Sequence, residues 1–246
     1  MRVGNFNGSK YISKSFESEI NRTHHSQRGL EKVENGSKQK KQCLVSCGVL
    51  QKEIQKLIKS GELEADVVFV SKMFHVDYGL LEKNLRRILE KTLPRYNMKP
   101  VLVYGDLCLG PNNEMRQLAE EYDMIKVDAL NCIDCLLGGK GKIEESDPNH
   151  EFMFMDPGMI EFFCEAHRKL EQEGMDEGTF KNMFCGIKGI VLLDTLNEAE
   201  KCKQEIEKLH TGLAILETKK VGLDNLKHVL SEAIRESQQR RSRRSD

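Results

Sequence analysis

The stretch "CLVSCGVLQKEIQKLIKSG", residues 43–61, decides the fold. Its first five residues form a short apolar run with a β-branched member. Beyond it, Leu50, Ile54, Leu57 and Ile58 recur at helical spacing until Gly61 stops the pattern. A strand running straight into an amphipathic helix is a βα unit, and the chain repeats it. "DVVFVSK" (66–72) is a second run of the fully buried kind, and "YGLLEKNLRRILEKTL" (78–93) follows it, with Leu81, Leu85, Ile88 and Leu89 on one face and Pro94 just past its end.

The third unit is "KPVLVYGD" (99–106) and a short amphipathic helix within "PNNEMRQLAEEYD" (111–123), capped by Asn112 or Asn113. The fourth is "MIKVDA" (124–129) and "LNCIDCLLGG" (130–139), one or two helical turns ended by Gly138 and Gly139. The most polar internal stretch, "KGKIEESDPNHE" (140–151), is a candidate lid. Beyond it come a short strand, a turn at 156–158 and a helix, then the strand "GIVLLDTL" (189–196), the helix "EAEKCKQEIEKLH" (198–210), the strand "LAILET" (213–218) and a final helix "LDNLKHVLSEAIRES" (223–237). Repeated βα pairs whose strands are apolar on both faces predict a doubly wound, mostly parallel sheet with helices on both faces. The expected fold is thus a Rossmann-like α/β domain over 43–235.

With 246 residues the chain has length enough for a full core. Residues 1–42 are polar, poor in aliphatics and without period, and predict a disordered extension. Residues 236–246 form a basic tail. Residues 1–42 hold nine Lys/Arg against four Glu, and the tail holds four Arg against Glu236 and Asp246, so with a net charge of −1 the body is acidic. An acidic body argues against a nucleic-acid surface on the folded part. No run approaches the length of a membrane span and the first residues lack the apolar centre of a signal peptide, which predicts a cytoplasmic protein. In that compartment eight cysteines are not a disulfide framework.

In open parallel sheets ligands bind outside the carboxyl ends of the strands. There the predicted topology puts Cys47 after the first strand, His75 after the second, Cys108 after the third and Cys132 after the fourth. Three thiols and an imidazole, one per consecutive βα loop, are a ligand set for zinc. Thiolates also hold a four-iron four-sulfur cluster. Asp106 and Asp156, also at strand ends, are candidates for a general base or for orienting His75. Taken singly, each thiol also fits a core position. Cys135 either turns into the core or adds a ligand, and Cys43, Cys164, Cys185 and Cys202 are structural or surface residues. "GGKGKIEE" (138–145) lacks the preceding strand and the hydroxyl of a phosphate loop, and G-x-G-x-x-G is absent.

Cys47-Gly48, His75, "YGDLC" (104–108), "CIDCLLGG" (132–139) and "DPGMIEFF" (156–163) together resemble an archaeal and bacterial family catalogued as domain of unknown function 1638, frequent in methylotrophic methanogens. The resemblance extends over about 43–235. It implies recurring cysteines at positions matching Cys47, Cys108 and Cys132, and a Pro-Gly turn matching Pro157 and Gly158. The bulky aromatic that usually follows stands here as Met159. Genes of this family often lie near corrinoid methyltransferase genes. That implies a metal-dependent enzyme of anaerobic one-carbon metabolism acting on a small-molecule substrate, or an accessory of corrinoid methyltransferase proteins with inert thiols.

Overall fold

The structure is a computed structural model that describes residues 41–242, with side chains to 240. The extension predicted over 1–42 falls almost wholly outside the described residues. Gln42 is already part of the fold: it is buried, donates to the Lys99 carbonyl at 2.8 Å, and accepts from the Asp66 amide.

Seven strands alternate with nine helices among the described residues: β1 (Cys43–Cys47), α1 (Gln51–Lys59), β2 (Asp66–Val70), α2 (Tyr78–Thr92), β3 (Val101–Val103), α3 (Glu114–Glu121), β4 (Ile125–Lys126), α4 (Cys132–Leu137), α5 (Lys142–Ser146), β5 (Phe152–Met155), α6 (Pro157–Gln172), α7 (Glu177–Asn182), β6 (Gly189–Asp194), α8 (Ala199–Glu207), β7 (Ile215–Lys220) and α9 (Asp224–Ser242). Every strand pair is parallel. The strands divide into two sheets, β2-β1-β3-β4 and β5-β6-β7, a division that the alternation of elements does not announce.

In the larger sheet the chain steps from β1 to β2 on one side, then returns past β1 to β3 and β4. The order therefore reverses between β1 and β3, the switch point at which doubly wound sheets place their ligands. Strand alternation fixes which side chains meet there: Cys43, Val45 and Cys47 share one face of β1, and Leu102 and Tyr104 share the same face at β3, all packed with α2 and α3. Leu44, Val101 and Val103 face the other way, into a core with α1, α4 and α9 that also takes in Phe154, Val191 and Leu193 of the second sheet. That shared core joins the two sheets. The far face of the smaller sheet is covered by α6, α7 and α8.

Two backbone contacts set the strand-end loops against one another. A methyl group at Gly105, just past β3, would stand 2.3 Å from the backbone of Asn131, so the turn carrying Cys108 lies directly on the loop that begins α4. At Gly158, in the first turn of α6, it would stand 1.9 Å from the Val49 carbonyl oxygen, so the second sheet's helix is seated on the turn after β1.

The candidate lid is closed into the fold. Asp134, fully buried between the two cysteines of α4, accepts from the amides of Leu130 (2.9 Å), Gly141 (3.2 Å) and Ile143 (2.8 Å), and Ile143 enters the core. Asn113 occupies the N-cap of α3 at φ 65°, but its side chain makes no cap hydrogen bond; Glu114 instead accepts from the Asn112 amide. The basic C-terminal segment continues α9 to Ser242, and the last four residues fall outside the described range.

Because Val49 is backbone and cannot turn aside, Gly158→Ala is expected to destabilise the chain by about 3 kcal/mol, read from its urea midpoint. A loss under about 1 kcal/mol would mean that α6 is not seated on this turn.

Candidate functional site

Cys47 closes β1 and lies on the face it shares with Tyr104. Its sulfur accepts from the Val49 amide at 3.4 Å and lies 3.7 Å from His75 Nδ1 and 3.8 Å from Nε2. His75 sits in a 3-10 turn, Lys72–Val76, that Ser71 caps by accepting from the Met73 amide. Its ring donates to the Lys72 carbonyl and stacks on Tyr104, centroids 5.9 Å apart and 7° from parallel. Burial holds the imidazole down to about 4, so it is neutral at pH 7, the form in which imidazole binds a metal.

Cys108 follows Tyr104 in the turn Asp106–Leu109, and Cys132 opens α4, where Asn131 caps by accepting from the Asp134 amide. Both thiols are half-buried, and both pack against the apolar cluster that contains Cys47 and Tyr104. Burial pushes the Cys108 thiol up to about 11 and raises those of Cys47 and Cys132 further; Cys108 adds to the rise of both, and Cys47 to that of Cys132. All three are neutral in the protein alone, and a bound cation is what would deprotonate them.

The four predicted residues are thus brought to one place, the mouth of the larger sheet at its switch point. As the side chains stand, no three His, Cys, Asp or Glu residues among the described ones are drawn together around a single ion position. The Cys47 sulfur stands nearly equidistant from the two ring nitrogens, at separations close to the roughly 3.6 Å between sulfur and nitrogen on one tetrahedral zinc.

At the centre is a residue that sequence reasoning missed. Tyr104 is 2% exposed, and its hydroxyl makes no hydrogen bond of ordinary geometry among the described residues; the Cys47 sulfur is its nearest acceptor, and Cys108 and Cys132 lie within electrostatic reach. Its place directly after β3, in phase with Leu102, was the available signal.

Asp106 takes a different part from the base expected of it. Its oxygens bind Arg116 (2.9 and 2.7 Å), Lys126 (2.8 Å) and Lys140 (3.2 Å). Burial alone would raise this carboxyl, but the three cations win and hold it well below the usual range, which makes it a poor proton acceptor. Lys126, itself 9% exposed at the side chain, also donates to the Val127 carbonyl and biases Cys108 and Cys135 toward the thiolate. Cys135 packs in the core, within electrostatic reach of Cys108 and Cys132.

Asp156 lies where the sequence placed it, at the end of β5. It is fully buried and caps α6 by accepting from Gly158 (3.1 Å) and Met159 (3.3 Å). Desolvation, then the neighbouring Glu53, push it up to about 8, and it interacts in turn with Cys132 and Cys47. Glu53 also went unnoticed in the sequence. It is fully buried on α1, accepts from the Thr195 hydroxyl at 2.7 Å, and keeps its other carboxyl oxygen unpartnered. Its signal was a carboxylate in phase with Leu50 and Leu57 on the helix's apolar face.

Cys43, at the opposite end of β1, interacts with Tyr96, and Cys164, Cys185 and Cys202 lie on or near the helices of the smaller sheet. No disulfide forms among the eight.

The titrations have opposing signs. Asp156, raised to about 8, stabilises the fold when protonated, and that contribution is lost as pH rises from about 4 to about 8. His75, lowered to about 4, acts oppositely between about 4 and 6.5. Above pH 6.5 only the buried acid pair is left of these, and the metal-free chain is expected to lose about 2 kcal/mol between pH 6.5 and 8, one proton per pH unit being worth about 1.4 kcal/mol. Urea midpoints at pH 5, 6.5 and 8 measure it, and Glu53→Gln should flatten the upper limb; a flat wild-type profile would contradict the buried acid pair.

A family model described as protein of unknown function (DUF1638) matches residues 69–230. The matched span includes His75, Asp106, Cys108, Cys132 and Asp156, and begins after β1, so Cys47 lies ahead of it. No curated protein and no solved structure matches. With about two thirds of its length under that one model, and with the strand-end residues that prompted the resemblance gathered at one mouth of the sheet, the chain belongs to the DUF1638 family.

Proposed function

We propose that the chain is a metal protein in which Cys47, Cys108 and Cys132, with His75 as fourth ligand, hold zinc at the switch point of the larger sheet. The observation that carries the reading is that three thiols, each from its own strand-end loop, lie within electrostatic reach of one buried tyrosine hydroxyl, with His75 against the first of them. Three sulfurs and a neutral imidazole form a soft to borderline donor set, and no carboxylate competes: Asp106 is engaged by its cations and Asp156 by its helix.

Zinc bound there would supply a Lewis acid that lowers the pKa of a water or a substrate thiol. The chain's own residues do the rest. The hydrogen bond from His75 to the Lys72 carbonyl occupies one ring nitrogen and would leave the other for a metal, the arrangement that orients metal-bound histidines. Asp156 carries a proton at neutral pH and lies by Cys132, so it suits an acid better than a base. Cys108 and Cys132 are the partly exposed thiols of the set, and a small substrate would approach from their side.

The metabolic setting we propose is anaerobic one-carbon or methyl-group chemistry, as an enzyme or as an accessory of corrinoid methyltransferase proteins. Its support is the family resemblance alone. A second reading, a four-iron four-sulfur cluster on the same three cysteines, draws on one further observation: Cys135 puts a fourth thiol within reach of Cys108 and Cys132.

Anaerobic purification followed by metal analysis should give about one equivalent of zinc per chain and a colourless protein. Cys47→Ala, Cys108→Ala and Cys132→Ala should each lose most of it, while Cys185→Ala, at an exposed thiol, should keep it. Brown protein with iron and sulfide would select the cluster. Metal-free wild type, or metal content indifferent to the three substitutions, would overturn both.

A further inference from the structure

A buried phenol without a well-formed partner forfeits its hydrogen bonds to water and gains little in return. Tyr104 is such a group: it is 2% exposed, its hydroxyl makes no hydrogen bond of ordinary geometry among the described residues, and its ring is fixed by stacking on His75 and by the apolar cluster of β1, β3, α2 and α3. The carbonyls and carboxylates of this region are engaged elsewhere. Asp106 turns to its cations, Asp156 to the α6 amides, and the Lys72 carbonyl to His75. What faces the hydroxyl is sulfur, from Cys47 first, then Cys108 and Cys132. A neutral thiol is a weak acceptor and a thiolate a strong one. The hydroxyl is therefore placed for a sulfur acceptor, Cys47 first, and a sulfur bound to a cation is the stronger one.

We infer that Tyr104 is a positioning residue of the thiol site, donating its hydroxyl hydrogen to the Cys47 sulfur when that sulfur is ligated. The inference rests on the metal-site reading above. It assigns the phenol two effects: it stabilises the ligated state over the empty one, and it draws electron density from one of the three sulfurs. A tyrosine present only to fill the core would do neither, since its hydroxyl would be dispensable in both states.

The test uses the full chain, purified anaerobically, stripped with chelator and titrated with Co(II), whose sulfur-to-metal charge-transfer absorption reports the electron density on its ligands. Tyr104→Phe removes only the hydroxyl. In chelator it should melt at the wild-type temperature or slightly above, having lost an unsatisfied group. It should bind Co(II) about tenfold more weakly, one charge-assisted hydrogen bond being of that size. Its charge-transfer band should move to longer wavelength. Replacing tyrosine by 3-fluorotyrosine, a stronger donor in the same shape, should move the band the opposite way and guards against a packing effect of the Phe variant. Equal affinity and an unmoved band in Tyr104→Phe would overturn the role of Tyr104 and leave the metal site standing. A wild type that gives no sulfur-to-cobalt band would overturn both.

Discussion

At Gly105 and Gly158 the chain packs backbone on backbone, and the convergence of the site depends on those two contacts. A single methyl group would overlap Asn131 at the first and the Val49 carbonyl at the second. The first contact holds the Cys108 turn against the start of α4, and with it Cys132. The second seats α6 on the turn after Cys47, which carries Asp156 up to the thiols and ties the smaller sheet to the larger. Widening either contact by the size of a side chain would move a donor by more than a metal–ligand bond length allows.

Around this seam, charge is sorted by position. Carboxylates near the thiols have fixed partners: Asp106 holds three cations, Asp134 three backbone amides, and Asp156 the first turn of α6. The sulfurs and His75 are left in apolar surroundings that favour their neutral forms. Glu53 and Asp156 are the exception, two buried carboxyls with no basic side chain hydrogen-bonded to either, where the two sheets meet.

Much of the fold was legible because its signals are local. Each βα unit announces itself by a switch from an apolar run to helical spacing, and the order of units places the residues after β1 to β4 at one end of the sheet. The division into two sheets was not legible, since Phe152–Met155 reads as a buried strand whichever sheet it joins. Cys47, His75, Cys108 and Cys132 could be proposed from sequence because thiol and imidazole are rare at strand ends. Tyr104 escaped, since one aromatic after an apolar strand looks like core until its hydroxyl is found without a partner. The ion pairs of Asp106 escaped for a related reason: its partners lie 10, 20 and 34 residues downstream at Arg116, Lys126 and Lys140, and nothing local marks them. The polar stretch after Gly139 suggested a lid because the residue that closes it, Asp134, sits on the preceding helix between two cysteines that drew the eye first.

The central claim is that three sulfurs and one imidazole from consecutive strand ends share one ion. X-ray absorption at the zinc edge of the anaerobically isolated, full-length protein tests it most directly. The account predicts about three sulfur scatterers near 2.3 Å and one nitrogen near 2.0 Å. A first shell made up of nitrogen and oxygen alone would contradict it.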